Sequence, residues 1–531
     1  MSVFDLYANL IEDYRRYVQS FLSIADDRIR QFVETKLLEE NIFWPDALLQ
    51  LNPSYRLAQS VDDLAAAGIL VPGTAKIFCT SAGTPIQLYQ HQCDAIYLAA
   101  QKQSYVVTSG TGSGKSLTYF IPIFDAILRR NTQEHKVWAI VIYPMNALVN
   151  SQFESLSVLG QAYQERTGQP MPVRFEKYTG QEDEAAKSRI QQERPHILLT
   201  NFMMLEMMLL RPQESAFVDK TASGLQFLVL DELHMYRGRQ GADVAMLIRR
   251  LKERCGNPDL LHIGTSATMV ADPQTSGVER RTAVAEFAGK LFGTSISESN
   301  VIEETLVPVS KFAKPLTQTD LRQSIAEPLP ETPSDLLGSP LASWIETTVG
   351  IERDTEGVFR RKVPQSLNDL ATALSKETNA PFEIAGEKLR NLLLAGSRIK
   401  QPGGGAAFSF KLHQVISQGR AVYGTLEDRA NRVLTLEGQY YAPPSPEGIK
   451  RVLFPLLFCR ICGQEYYRVR YDESQNLMSP WTETAFEESA LEGRRGYLML
   501  PPFEPFHWSK DDLSPEWLES NGRVRRDYRD A

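Results

Sequence analysis

The eight residues Ser109-Gly110-Thr111-Gly112-Ser113-Gly114-Lys115-Ser116 constrain this chain more than any other stretch. They follow an apolar run, Tyr105 to Thr108, that reads as a buried strand. They precede another, Leu117 to Leu128, that reads as a helix. A strand, a glycine-rich turn and a helix opening on Lys-Ser bring several backbone N–H groups together at a positive helix end. Such a turn cradles phosphates. Lys115 then reaches the β- and γ-phosphates of ATP, and the Ser116 hydroxyl ligates Mg²⁺. Ser109 stands at the first position of the G-x-x-x-x-G-K-[ST] pattern, where a glycine or alanine is usual. A chance glycine-rich turn would not carry the strand, the helix and the Lys-Ser pair together, so the sequence specifies a nucleoside triphosphate site.

Downstream, the apolar strand Phe227-Leu228-Val229-Leu230 ends in Asp231-Glu232. In a phosphate-loop fold this is where the second metal-site residue belongs. Asp231 would hold Mg²⁺ directly or through water, and Glu232 would position or activate the attacking water. Solvated acids at an ordinary strand–turn junction are the bland alternative, and the phosphate loop upstream argues against it. From about residue 84 to 272 apolar strands alternate with helical patterns. Strands are expected at Tyr105 to Thr108, Val137 to Tyr143, Val173 to Tyr178, His196 to Thr200, Phe227 to Leu230 and Leu261 to Gly264. The alternation predicts an α/β fold whose parallel sheet is covered on both faces, with the ligand site at the carboxyl ends of the strands.

The rest of the chain is less pointed. At 531 residues it is too long for one ordinary domain. The net charge of −8 excludes a globally basic surface, so any nucleic-acid contact must come from a local groove. Of five cysteines, Cys79, Cys93 and Cys255 are scattered and form no disulfide framework, which points to a reducing compartment. The start Met1-Ser2-Val3-Phe4-Asp5 has neither a basic nor an apolar leader character, and no apolar run reaches membrane-spanning length. A cytoplasmic location with no membrane partner is therefore expected. Residues 1–80 show helical spacing (Leu6, Leu10, Tyr14, Val18, Phe21) and read as an N-terminal helical extension. A nucleotide-binding domain is expected over 81–298, and a proline-punctuated connector over 299–365. An α+β accessory domain follows over 366–475, with a helical stretch near Ser366 to Ile399, and a tail over 476–531.

Further motifs follow the phosphate loop in a fixed order. Gln92, in Leu88-Tyr89-Gln90-His91-Gln92, carries a carboxamide that can donate to and accept from adenine at once. Pro144-Met145-Asn146-Ala147-Leu148-Val149-Asn150-Ser151-Gln152, Thr179-Gly180, Thr200-Asn201, Asp231-Glu232-Leu233-His234 and Ser266-Ala267-Thr268 come after it. In this order and spacing they resemble the first motor domain of a superfamily 2 helicase with a DExH box. The resemblance implies a RecA-like domain over 81–298 with Gln92 reading adenine. It implies nucleic-acid backbone contacts at Pro144, Asn146, Thr179, Gly180, Thr200 and Asn201. It also implies that Ser266, Ala267 and Thr268, with His234, couple hydrolysis to strand movement. Tyr236-Arg237-Gly238-Arg239-Gln240-Gly241-Ala242-Asp243-Val244-Ala245, ending in Arg249-Arg250-Leu251, is similar to the MrfA/YprA-like group. That group includes the large helicases of the DISARM and Druantia anti-phage systems. For Arg249 and Arg250 a solvated helix face and a DNA or interdomain role both stay open.

Such motors need a second RecA-like domain with a Q-x-x-G-R-x-x-R signature. Its arginines contribute ~10³–10⁵ in rate in related chemistry. Gln418-Gly419-Arg420 and Glu492-Gly493-Arg494-Arg495-Gly496 do not match that spacing. The expectation is a DNA helicase or translocase motor subunit, or an N-terminal fragment of one, acting in phage defence or DNA repair. A further chain or C-terminal portion would supply the second domain. Alone, the chain should bind ATP-Mg²⁺ weakly and hydrolyse it slowly. The alternative is a nucleotide-dependent DNA-binding scaffold without independent hydrolysis. Finally, Cys459-Arg460-Ile461-Cys462-Gly463 has the form of a zinc knuckle. Two thiolates need two more ligands to close a Zn²⁺ site, with His413 and His507 as candidates, and a pair of reduced thiols in a turn is the plainer reading. Tyr440, Tyr441, Tyr466 and Tyr467 with Arg468 and Arg470 read as strand core alternating with solvated charge rather than a base-stacking surface.

Overall fold

The computed structural model describes residues 2–20, 23–39, 44–110, 112–130, 133–267, 276–310, 316–354, 356–400, 405–416, 421–444, 448–481, 493–500, 513 and 517–526. They form two compact units: Met1–Leu49 with Ser366–Ala371 and Leu412–Ala531, and Gln50–Gln365 with Thr372–Lys411. No helix among the described residues is long and apolar enough to cross a membrane.

The larger unit is built on a seven-stranded sheet. Its strands are β1 (Tyr105–Thr108), β2 (Ala139–Tyr143), β3 (Phe175–Lys177), β4 (Ile197–Asn201), β5 (Phe227–Leu230), β6 (Leu261–Ser266) and β7 (Val301–Glu303). Their order is β7-β1-β6-β5-β2-β4-β3, and every pairing is parallel. Residues alternate between two apolar layers as the pleat demands. Val106, Ile140, Ile142, Leu198, Leu228 and Leu230 enter one layer. Tyr105, Val107, Val141, Leu199 and Val229 enter the other. The expected strands are all present, two with the same ends and the others with ends shifted by one or two residues. The edge strand β7 lies beyond the predicted set.

Helices α1 (Gln90–Ala100), α2 (Leu117–Leu128), α3 (Asn146–Thr167), α4 (Gly238–Cys255) and α5 (Gly277–Phe292) cover these layers. Helix α2 contains Pro122, which cannot donate to the carbonyl of Thr118 one turn back. The buried hydroxyl of Tyr105 donates to that carbonyl instead, at 2.6 Å, so the interruption is satisfied from the strand beneath. Beyond β7, Leu306–Val307 pairs antiparallel with Ser54–Tyr55. A hairpin of β8 (Ile351–Arg353) and β9 (Phe359–Arg361) follows. The helical stretch expected after residue 366 is two helices, Leu367–Thr378 and Phe382–Arg398, separated at Asn379 (φ +57°) and Pro381.

The smaller unit packs Ile24, Ile29, Val33 and Trp44 of the N-terminal segment against Val422, Phe454, Leu456, Tyr467 and Val469 of a six-stranded antiparallel sheet. Its long strand, Glu465–Asp472, alternates only as far as Val469: Arg470 is buried rather than solvated, and Tyr440 and Tyr441, expected as strand core, are exposed. Tyr467 and Val469 enter the core, while Tyr466 and Arg468 lie half-buried between them. Arg432 is fully buried in this core, its guanidinium 2.6 Å from Asp26 and 3.1 Å from Glu465. Asp26 also caps the helix Asp27–Val33 by accepting the Ile29 N–H, so one buried arginine ties the N-terminal helix to the sheet.

Candidate nucleotide and nucleic-acid site

Strand order decides which loops meet. Because β1 lies beside β6, and β6 beside β5, the phosphate loop, Ser266 and Asp231-Glu232 emerge at neighbouring carboxyl ends. Gly112 and Gly114 adopt φ of +82° and +72°, a region open to glycine without strain. A Cβ on Gly114 would also meet Gln92 Nε2 at 2.5 Å. Gln92 accepts from the Tyr89 N–H at 2.9 Å and donates to the Gly114 carbonyl at 3.0 Å, which fixes its carboxamide against the loop. His91 Nε2 lies 3.0 Å from the Ser113 carbonyl. Ser109, unusual at its position, makes a 2.6 Å hydroxyl–hydroxyl bond to Ser113 and so ties the two ends of the turn together. Ser116 is the N-cap of α2. Thr111 lies outside the described residues.

Lys115 Nζ donates to the Ser109 carbonyl at 3.0 Å and stands 3.9 Å from Glu232 Oε1. Asp231 is 8% exposed and accepts from the Thr265 hydroxyl. Burial, with the charge of Glu232 adding to it, pushes its carboxyl up to about 6, against the opposing effects of Thr265 and Lys115. A carboxylate desolvated in this way gains from a cation beside it, and oxygen donors such as Asp231 and Ser116 suit a hard divalent ion. The residues present therefore fit Mg²⁺. Glu232 sits in the left-handed region at φ +54°, a cost for a non-glycine residue that is found most often at functional sites. Its Oε2 stands 3.4 Å from His234 Nδ1 without hydrogen-bond geometry. The same His234 nitrogen lies 3.2 Å from the Ser266 hydroxyl, so the acidic box and the Ser266-Ala267 turn touch directly. Thr268 lies outside the described residues.

The expected backbone-contact residues gather at the carboxyl ends of β2, β3 and β4. Asn146 accepts from the Asn201 amide, and Asn201 in turn caps the following helix through the Met204 N–H at 2.7 Å. Pro144 directly follows β2. The N–H and hydroxyl of Thr179 both donate to Glu182, with the hydroxyl at 2.7 Å. Thr200 is fully buried and donates to the Tyr178 carbonyl at 2.6 Å, which makes it a strand lock. A Cβ at Gly180 would meet nothing within 4 Å, leaving that backbone open to approach. Arg249 donates to the Ala245 and Lys290 carbonyls, and Arg250 pairs with Glu206 at 3.0 Å, so both brace helix packing.

Three residues at the loop carry no sequence motif. Glu304, just past β7, accepts the Gly110 N–H at 2.8 Å. Arg361, at the end of β9, pairs with Glu304 at 2.6 Å and donates to the hydroxyl of Tyr55. Burial pushes the Tyr55 hydroxyl up to about 12. The Tyr55 ring in turn lies 4.9 Å from Tyr89 and 5.6 Å from His91. A signal existed only in the doubled charges Glu303-Glu304 and Arg360-Arg361, which nothing in the sequence connects to the loop.

Cys459 and Cys462 share a tight turn closed by Gly463 at φ +78°. Backbone N–H groups of Cys462 and Ile461 hold the Cys459 thiol below its ordinary range. Among the described residues no group of three or more His, Cys, Asp or Glu side chains could hold a metal ion. His507, Gln418-Gly419-Arg420 and Glu492 lie outside the described residues.

The DEAD/DEAH box helicase family profile matches residues 89–276. The chain is 24% identical over 616 residues to the Druantia protein DruE of Escherichia coli (strain UMEA 4076-1), covering 88% of this chain and 33% of that protein. It is 33% identical over 193 residues to the uncharacterized ATP-dependent helicase YprA of Bacillus subtilis (strain 168), covering 36% of this chain and 24% of that one. Among solved structures, the DUF1998 helicase MrfA bound to DNA aligns with a TM-score of 0.38 and 25% identity, over 50% of this chain and 31% of that chain. The chain thus spans about a third of the length of DruE and about a quarter of that of YprA.

Proposed function

We propose that this chain, whose residues 89–276 are the helicase core of a superfamily 2 DExH/DEAD-box protein related to MrfA and YprA, is one half of an ATP-driven DNA motor. The observation that carries the reading is the approach of Lys115 Nζ to Glu232 Oε1, 3.9 Å, at adjoining strand ends. In this reading Lys115 meets the terminal phosphates and Glu232 orients the attacking water. Mg²⁺ held by Ser116 and Asp231 would offset phosphate charge. Gln92 would read the base edge only after turning its carboxamide from the Tyr89 N–H and the Gly114 carbonyl that it bonds here. His234, in contact with Ser266, passes a change at the acidic box to the turn beyond β6.

DNA is preferred over RNA because the segment Tyr236 to Leu251 is similar to the MrfA/YprA-like group, whose resemblance favours a DNA track. The resemblance to the large helicases of anti-phage systems, which the likeness to the Druantia protein DruE fits, supports a role in phage defence or DNA repair. Among the described residues there is one parallel seven-stranded sheet, so a second RecA-like domain would come from another polypeptide or from sequence beyond these residues. On this reading hydrolysis by this chain alone should be slow.

The test is ATP hydrolysis with and without DNA, beside Lys115→Ala and Glu232→Gln. Lys115→Ala should lose nucleotide binding; Glu232→Gln should bind and not hydrolyse. Turnover retained in both variants refutes the assignment.

A further inference from the structure

Gly110 occupies a position of the phosphate loop where any residue fits the G-x-x-x-x-G-K-[ST] pattern. Its backbone does not demand glycine either, because it is not among the residues with positive φ. Space explains it. A Cβ at Gly110 would collide with Arg361 Cζ and lie 2.5 Å from its Nη2, so the guanidinium rests directly on the glycine α-carbon. The Gly110 N–H, meanwhile, is taken by Glu304 Oε2 at 2.8 Å, and the same carboxylate holds Arg361 by two bonds, at 2.6 and 3.0 Å. A side chain more than 240 residues downstream in sequence thus clamps both faces of one loop residue, through its carboxylate partner on one side and its own plane on the other.

The clamp is anchored. Arg361 ends the β8–β9 hairpin, and the adjacent Arg360 bonds Asp354 at 2.9 Å and Glu303 at 3.2 Å. Glu303 also meets Arg280 at 3.8 Å and Arg281 at 3.5 Å on α5. At the hairpin turn, Glu356 accepts the Gly277 N–H at 3.3 Å, at the start of that helix. The hairpin is therefore bonded both to the phosphate loop and to the helix that follows the Ser266-Ala267 turn.

We infer that Glu304 and Arg361 are positioning residues for the nucleotide, holding Gly110 so that the amides of the following loop residues stay aligned on the phosphates. Neither touches the reacting atoms in this assignment. The inference rests on the nucleotide reading above. Gly110 is glycine because the clamp needs the space, so the two positions are coupled: a side chain at 110 is harmful only while Arg361 is present.

The experiment measures the affinity of the full chain for a fluorescent N-methylanthraniloyl ATP with Mg²⁺, and KM and kcat for ATP, with thermal unfolding recorded for each variant. Glu304→Ala and Arg361→Ala should each weaken probe binding about tenfold, the size expected for losing a charged hydrogen bond. KM should rise with them and kcat stay unchanged. In the cycle of Gly110→Ala and Arg361→Ala, the double variant should bind no worse than Arg361→Ala alone. Parental affinity in both single variants, a fall in kcat at constant KM, or losses that multiply in the double variant would each overturn the inference. If Gly110→Ala does not fold, Arg361→Ala and Glu304→Ala decide alone. Binding by the parent and none by Lys115→Ala separates the two levels, because parental behaviour of the clamp variants then removes only the clamp. No binding by the parent removes both readings.

Discussion

Replacing Asp231 by Asn should make the protein more stable and leave it inert. Burial, reinforced by Glu232, raises this carboxyl from 3.8 to about 6. A tenfold change in proton affinity corresponds to about 1.4 kcal/mol, so keeping Asp231 ionised at neutral pH costs the fold about 3 kcal/mol. The sign follows from proton binding. Between 3.8 and about 6 the folded form holds the proton that the unfolded chain has released, so stability falls as pH rises through that window and is flat above it. Asn carries no charge to bury, and its side-chain oxygen still accepts from the Thr265 hydroxyl as Asp231 does. At pH 7.5 the variant should therefore gain up to about 3 kcal/mol, or about 6 °C in a thermal scan at roughly 2 °C per kcal/mol for a unit of this size. Near pH 4 the two proteins should melt together. Added Mg²⁺ and ATP should raise the midpoint of the parent and not that of the variant. A variant less stable than the parent at pH 7.5, or a difference that ignores pH, would refute the reasoning.

Other outcomes follow from the same geometry. Arg432→Ala leaves Asp26 and Glu465 buried with only the longer contacts to Arg429, at 3.9 and 3.5 Å, and should destabilise the smaller unit by up to about 3–5 kcal/mol, seen as early proteolysis there. Cys459, its thiol lowered by neighbouring N–H groups, should alkylate with iodoacetamide before Cys93 and Cys255, whose thiols burial raises; prior modification of Cys93 would contradict this. Protection of Cys459 and Cys462 by added Zn²⁺ would favour the zinc reading, and unchanged reactivity the plain thiol pair. His234→Ala breaks the 3.2 Å contact with Ser266 and should abolish stimulation of hydrolysis by DNA while nucleotide affinity holds; intact stimulation would place the coupling elsewhere.

What could be read from the sequence depended on how locally each feature is encoded. The phosphate loop, the Asp231-Glu232 pair and six of the seven sheet strands are contiguous patterns, so period and motif suffice for them. The edge strand Val301–Glu303 is only three residues long and ends in acids, too short for an alternation to register. The role of Ser109 is likewise invisible until the loop closes and brings its hydroxyl to Ser113. For Thr200 the motif marks nucleic-acid contact, and what the sequence does not show is that its hydroxyl also bonds the Tyr178 carbonyl inside the sheet. For Glu304 and Arg361 the partners are separated by more than 50 residues from each other and by far more from Gly110, and pairing of that range is set by tertiary packing alone.

The clamp and the buried acid bear on one another. Asp231 and the left-handed Glu232 both cost stability, and a site with such costs persists only where the surroundings over-determine it. Here the surroundings include bonds that reach the loop from three sides. Gln92 holds the Gly114 carbonyl, Ser113 holds Ser109, and Glu304 holds the Gly110 N–H. Two of these ties are local to the motor core, whereas the third comes from beyond β7 and is itself fixed by the hairpin. It follows that the segment after the helicase core is part of what keeps the nucleotide site in register. A fragment ending at residue 298 would retain every recognised motif and lose Glu304 and Arg361 together. Such a fragment should fold around its seven-stranded sheet less β7, and bind nucleotide no better than the Glu304→Ala/Arg361→Ala double variant of the full chain. Tighter binding by the fragment than by that variant would show that the downstream segment restrains the loop rather than supporting it.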